Sequence, residues 1–359
     1  MMRVHVLHDA SYTRNGEAFV FPLRFNRRRL ADRGVRLTFS TDTGAPFECD
    51  VLCVSSRCFR TWWTATGGDA VLEWLGRARR TTRTVLWFDV SDSTGTTQFR
   101  VLPAVDGYVK NQLLKDRSLY QASFYGMRIT TDFYHRHFGV RDEIPQEPHL
   151  AEAPDVSQIG KVRVGWNYGM ANYGPRGAQL GSLWHRAAGL PRWYARRWYR
   201  PDARRPIPCS LRVGHAYARQ TVAFPRQRLL ELTRGRLRAA RLPRAQYFRE
   251  LRLSVVAISP FGFGEVCYRD FEAVTAGAAV MKQDMSHVDT WPDLWARDMY
   301  VPFAWDFSNF DDTLQQVFDQ PDRMADIASR AQDQYRRLLD TEDGHQEFCS
   351  RFLAAVSCG

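Results

Sequence analysis

No uncharged apolar stretch among the 359 residues is long enough to cross a bilayer, which takes about 20 residues as a helix. The apolar core of a secretory leader is missing too. Arg3-Val4-His5-Val6-Leu7 reads as a short strand and passes straight into polar residues. Both absences predict a soluble, cytoplasmic chain, at most peripheral at the inner face of a membrane. Cysteine is sparse and unpatterned. Cys49, Cys53, Cys58, Cys209, Cys267, Cys349 and Cys358 are odd in number and form no C-x-x-C pair. That argues against a zinc ribbon and against a secreted disulfide framework, and for reduced thiols. The D-x-D metal motif is also absent, since Asp89 and Asp92 are separated by two residues. Internal repeats and low-complexity segments are lacking.

Negative charge is in short supply: 50 Lys and Arg face 39 Asp and Glu, giving a net charge of +11. Such a balance attracts nucleic acid, anionic lipid or phosphorylated small molecules. Much of the arginine lies between Arg176 and Arg252. The segment Arg192-Trp193-Tyr194-Ala195-Arg196-Arg197-Trp198-Tyr199-Arg200 interleaves it with aromatics. Three readings fit: an insertion that packs on its domain and snorkels its charges, contact with an anionic membrane surface, or single-stranded nucleic acid. No nucleic-acid recognition motif accompanies the segment, so nucleic acid is not expected among the partners.

The length suits two domains. Short apolar runs at Val4–Leu7, Val35–Phe39, Asp50–Val54 and Thr84–Phe88 alternate with helical spacing near Phe19–Ala31 and Val71–Ala78. This pattern predicts a parallel sheet covered on both faces. Ligands of such sheets gather at the C-terminal strand ends, where Asp9, Asp89 and Asp92 fall. A Pro- and Glu-rich stretch, Glu143–Asp155, reads as a linker. A second α/β pattern opens with Lys161–Gly165 and resumes with Ser210–Gly214, a helix near Arg226–Arg236, and strands at Ser254–Ser259 and Ala278–Lys282. The predicted domains are 1–155, 156–340 and a C-terminal helix within 341–359.

Ser259-Pro260-Phe261-Gly262-Phe263-Gly264-Glu265 carries a strand into a glycine turn and then a helix. Gly262 and Gly264 allow a ligand close to the backbone, and a helix N-terminus suits a diphosphate. A helix running through Glu265 would place Glu265, Arg269 and Glu272 on one stripe. Arg269 would then neutralise a leaving diphosphate and Glu272 accept ribose hydroxyls; a plain surface ion-pair ladder has the same spacing.

Glu272-Ala273, Gly277 and the strand into Lys282, preceded by Gly262-Phe263-Gly264, resemble the donor-site signature of GT-B glycosyltransferases, over about Tyr247–Tyr335. The run through Asp284-Met285-Ser286-His287 and Trp291-Pro292-Asp293 is similar to a bacterial subgroup with exostosin-like features. The resemblance implies an α/β fold of two Rossmann-like domains facing a central cleft. The C-terminal domain would hold a UDP- or GDP-sugar and the N-terminal domain a glycan or glycolipid acceptor, as in surface polysaccharide assembly. It also implies that Glu272 binds the donor ribose. Retaining members of the best-known group carry a further Glu just before the Gly-Phe-Gly turn. Phe261 stands there instead, so the resemblance does not imply the stereochemistry. A non-catalytic sugar-nucleotide binder and a basic nucleic-acid-binding protein are the alternative functions.

Further donor-side candidates are Asn167, in the turn Gly165–Gly169, and Lys282, Asp284 and His287 around the end of a strand. Asp9 and Asp92 are the candidates for a general base, which must reach the acceptor hydroxyl. With no D-x-D motif, the expected chemistry needs no metal or other cofactor, Arg269 and the helix dipole neutralising the diphosphate.

Overall fold

A computed structural model describes residues 1–9, 13–44, 47–143, 153–171, 197–296 and 298–357. The linker stretch 144–152 and the first half of the basic-aromatic segment, 192–196, lie outside the described residues.

Six strands form the first sheet: β1 (Met2–Leu7), β2 (Val35–Ser40), β3 (Val51–Ser55), β4 (Thr84–Asp89), β5 (Gly107–Lys110) and β7 (Val162–Val164). Their order is β2-β1-β3-β4-β5-β7 and every pairing is parallel. The central strands are buried along their length, as helices on both faces require. Helices α1 (Arg14–Phe25), α2 (Arg27–Asp32), α3 (Arg60–Thr66) and α4 (Asp69–Ala78) connect them. Thr13 caps α1 by accepting from the Gly16 amide. Val71, Trp74, Leu75 and Ala78 form the buried stripe of α4.

The second sheet is smaller and also parallel, in the order β12-β10-β9-β8. Its strands are β8 (Ile207–Leu211), β9 (Ser254–Ile258), β10 (Ala279–Gln283) and β12 (Val301–Phe303). Helices α6 (Gln220–Leu232), α7 (Arg244–Leu253), α8 (Tyr268–Ala276), α9 (Phe310–Asp319) and α10 (Pro321–Asp340) belong to this half. The last helix, α11 (Glu342–Val356), returns to the first: Arg29 donates to both oxygens of Glu342, at 2.6 Å and 2.9 Å.

A third, two-stranded antiparallel sheet joins the halves. β6 (Gln112–Leu114) follows β5, β11 (Val288–Thr290) follows β10, and Leu113 pairs with Asp289. The shared core lies behind it. Trp166 stacks on Phe19 with centroids 5.8 Å apart and meets Phe348 of α11 edge-on at 5.2 Å.

Two expectations change. The strand read as opening the second domain is β7, which completes the first sheet through Tyr108↔Val162. Its apolar alternation suits either sheet, and only hydrogen-bond register assigns it. Helix α5 (Ile129–Phe138), within the predicted N-terminal domain, docks on the second half: its Tyr134 is buried among Leu211, Ile258 and Phe303.

Candidate active site

A cleft of about 700 Å³ opens between the two large sheets. Its C-terminal wall contains the glycine turn and the start of α8; Asp92 and Tyr168 face it from the other side.

The turn is built on a buried ion pair. Lys282 has no exposed side-chain surface and donates to the Ser259 carbonyl at 2.9 Å and to Asp270 Oδ1 at 3.1 Å. The Ser259 hydroxyl donates to the same oxygen at 2.5 Å. Asp270 Oδ2 accepts from the Cys267 amide at 2.7 Å and so caps α8. The helix therefore begins at Tyr268, not at Gly264–Glu265. Glu265 lies ahead of it, so the expected Glu265–Arg269–Glu272 stripe does not form. Gly277 ends the helix with φ 76°, the left-handed conformation glycine tolerates.

Arg226 sits beneath the turn. Its Nε donates to the Phe261 carbonyl at 2.8 Å and its Nη1 to Gly214 at 3.0 Å. These acceptors are main-chain carbonyls, which leave the cation's formal charge in place. Burial pulls its pKa below the ordinary arginine value. Arg212 lines the same wall but is held by Glu250 at 2.6 Å. Arg241, Arg244 and Arg269 complete the basic lining. Glu272 is mostly buried and its Oε2 accepts from the Tyr247 hydroxyl at 3.1 Å. Burial, then the Glu272 charge, drive the Tyr247 pKa upward.

Opposite, Asp92 follows the end of β4. It accepts from Asn15 Nδ2 at 2.7 Å and from the Tyr168 hydroxyl at 3.2 Å, with Arg57 4.0 Å away. Its side chain keeps 44% of its surface exposed. Two donors and a nearby cation thus orient a carboxylate that solvent, or a substrate, can reach.

The halves meet closely here. A Cβ on Gly264 would lie 1.6 Å from the Asp92 carbonyl oxygen. Glu265, 1% exposed, accepts from the Thr94 amide at 3.0 Å and its hydroxyl at 2.7 Å. Burial would raise the Glu265 pKa, but His287 and Thr94 outweigh it and hold the carboxyl below its ordinary value.

Parallel sheets facing each other across a cleft, with the last helix returning to the first half, decide the architecture. The fold is GT-B. No family model matches the chain, nor does any curated protein. Solved structures with a similar course include an alpha-glucosyltransferase in complex with UDP (8% identity, TM-score 0.46, 99% of this chain and 100% of that one). Sucrose-phosphate synthase from Thermosynechococcus elongatus has 9% identity and a TM-score of 0.45 over 100% of both chains. Anabaena HepE in complex with UDP-glucose has 10% identity and a TM-score of 0.44 over 99% of this chain and 100% of that one.

Within the GT-B cleft the structure gathers Asp92, Gly262, Gly264, Arg269 and Glu272 from the expected set. The others lie outside its lining. Asp9 is mostly buried under the first turn of α1, where a Cβ on Gly16 would lie 2.1 Å from its Oδ1. Glu265 clamps the halves and Lys282 is sealed under the turn. Asn167 donates to Thr290 Oγ1 at 3.0 Å and the Pro292 carbonyl at 2.7 Å, tying the GT-B halves behind the cleft. Asp284 accepts from the Tyr300 hydroxyl at 3.2 Å. The His287 ring packs 4.7 Å from Trp305 and 4.0 Å from Glu265. Glu265, Lys282, Asn167 and Asp284 are thus held by protein partners, which spacing does not reveal.

Sequence reasoning gave no role to Arg226, Tyr247 or Tyr168. Arg226 did leave a signal: it shares a helical face with Val222 and Leu229, both buried. An arginine on a core-facing stripe requires a special acceptor.

Proposed function

We propose that the protein is a glycosyltransferase that moves a sugar from a nucleoside-diphosphate donor, a UDP- or GDP-sugar, to an acceptor hydroxyl. One observation carries the reading: a single cleft sets a cationic glycine turn with Glu272 on one wall against the oriented carboxylate of Asp92 on the other. Arg226 and Arg269, with Arg241 and Arg244, would neutralise the diphosphate, helped by the N-terminal dipole of α8. Glu272, oriented by Tyr247, would accept hydrogen bonds from the ribose. Asp92 would take the acceptor proton as the acceptor oxygen bonds to the anomeric carbon. The anomeric carbon–phosphate oxygen bond breaks in that step, and the nucleoside diphosphate leaves. The glycan or glycolipid acceptor anticipated from the sequence, and a place in surface polysaccharide assembly, belong to this reading through the hydroxyl alone.

A thermal-shift panel with UDP, GDP, ADP and CMP tests it. A ligand at about 100 times its dissociation constant adds roughly 2.7 kcal/mol to stability, so one nucleoside diphosphate should raise the melting temperature clearly. No response to any of them would sink the proposal. Donor binding without release of free nucleotide under any acceptor would reduce the protein to a sugar-nucleotide binder.

A further inference from the structure

Between Glu231 and Glu250 the chain carries Arg234, Arg236, Arg238, Arg241, Arg244 and Arg249 and no acidic residue. The structure makes this run continuous with the cleft. Arg241 and Arg244 line it, and Arg212 of the cleft wall donates to the Ala240 carbonyl at 2.6 Å. Arg236 anchors the other side of the loop to Asp311 at 2.6 Å. Arg234, Arg238 and Arg249 are exposed. From Arg244 the positive surface follows α7, 10 residues or about 15 Å of helix. At its far end Arg252 donates to the Tyr199 hydroxyl at 2.9 Å, and Arg197 and Arg252 both lie over that ring. Exposed Arg200 and Arg204 follow, Arg204 paired with Asp202 at 3.3 Å.

We propose that this track binds the phosphate backbone of a polynucleotide whose strand enters the cleft mouth, so that the acceptor hydroxyl belongs to a nucleic acid. The binding half stands alone; the acceptor half rests on the transferase reading. It departs from the expectation that nucleic acid is not a partner. A recognition motif is needed to read bases, whereas backbone binding needs only spaced cations. Arginine forks match phosphate oxygens bidentately. A track of about 15 Å spans about four nucleotides at roughly 3.4 Å each. Phe263, 39% exposed at the cleft with Tyr217 packed edge-on against it, offers a stacking face for a base. An anionic lipid surface fits less well, because interfacial binding needs a continuous apolar face beside the charge. Among the described residues along this track, the large exposed apolar side chains are Phe263 at the cleft and Leu253 at the end of α7.

The test measures binding of a labelled DNA duplex, the matching single strand and an RNA of the same sequence by fluorescence anisotropy across a salt series. Phosphatidylserine vesicles are assayed in parallel. The variant Arg234→Ala/Arg238→Ala/Arg249→Ala removes three track cations outside the cleft lining. Wild-type protein should bind at least one polynucleotide with a steep salt dependence. The variant should bind more weakly, its log–log salt slope falling by about three, one for each phosphate that an arginine no longer neutralises. Its melting-temperature response to nucleoside diphosphate should stay that of the wild type. An unchanged slope, no polynucleotide binding at low salt, or binding to vesicles alone would overturn the proposal. The expected polynucleotide result without any nucleoside-diphosphate response would retain the binding surface and overturn the transferase reading.

Discussion

Replacing Glu272 with alanine removes the one carboxylate on the C-terminal wall of the cleft among the described residues. The Tyr247 hydroxyl, 3.1 Å away, fixes its orientation. A carboxylate has about four acceptor positions, so this bond aims Glu272 without exhausting it. Hydrogen bonds to a charged group contribute roughly 1.5–3 kcal/mol each. Nucleoside-diphosphate binding should therefore weaken by about 10- to 150-fold. The assay is isothermal titration of Glu272→Ala and wild type with the responsive nucleoside diphosphate and its 2′,3′-dideoxy analogue. Wild type should lose affinity for the analogue, whereas Glu272→Ala should bind both forms nearly alike. If the variant still discriminated as strongly as wild type, Glu272 would not be reading the ribose. Tyr247→Phe serves as a companion, because it keeps the carboxylate and frees its orientation; its loss should be smaller.

Lys282→Met should destabilise the protein by about 3–5 kcal/mol in denaturant unfolding, because it leaves Asp270 charged and buried. Adding Asp270→Leu should recover part of that loss. Gly264→Ala should abolish the nucleotide response while far-ultraviolet circular dichroism stays native, since its Cβ would collide with the Asp92 carbonyl and hold the halves apart. Glu265 has a folded pKa below its ordinary 4.5, so its stabilisation is complete above that pH and is lost as pH falls through the lower folded value. Glu265→Gln should accordingly lower the melting temperature near neutrality and flatten its acid-side decline.

The strands were legible because a doubly covered parallel sheet writes itself as short, wholly apolar runs. Thr84–Asp89 is buried at every position. The glycine turn was legible too, because Gly262 and Gly264 stand between a buried strand and an amphipathic helix. Partnership was not. Lys282, Glu265 and Asn167 have the composition of ligand-binding residues, yet each is engaged by residues brought in from distant chain positions, such as Thr94 for Glu265. The start of α8 was misplaced for a related reason: the Asp270 carboxylate turns back to the Cys267 amide, and a cysteine at that position gives no sequence signal of a cap. Arg226 shows the converse, a charge on a buried helical stripe that marks the site more plainly than the exposed arginines do.

The small ladder of β6 and β11 constrains how the molecule can breathe. Each strand continues from a strand of its own large sheet, so the ladder ties two rigid slabs along one edge. Main-chain hydrogen bonds resist sliding along that edge and yield more readily to twisting about it. Opening the cleft then becomes a rotation with a built-in axis. The Glu265–Thr94 contact lies beside that axis, since the Tyr120 hydroxyl joins the Leu114 amide of β6 to the Thr94 carbonyl, so the cleft surfaces farthest from the ladder travel most. Product would leave by the side that swings.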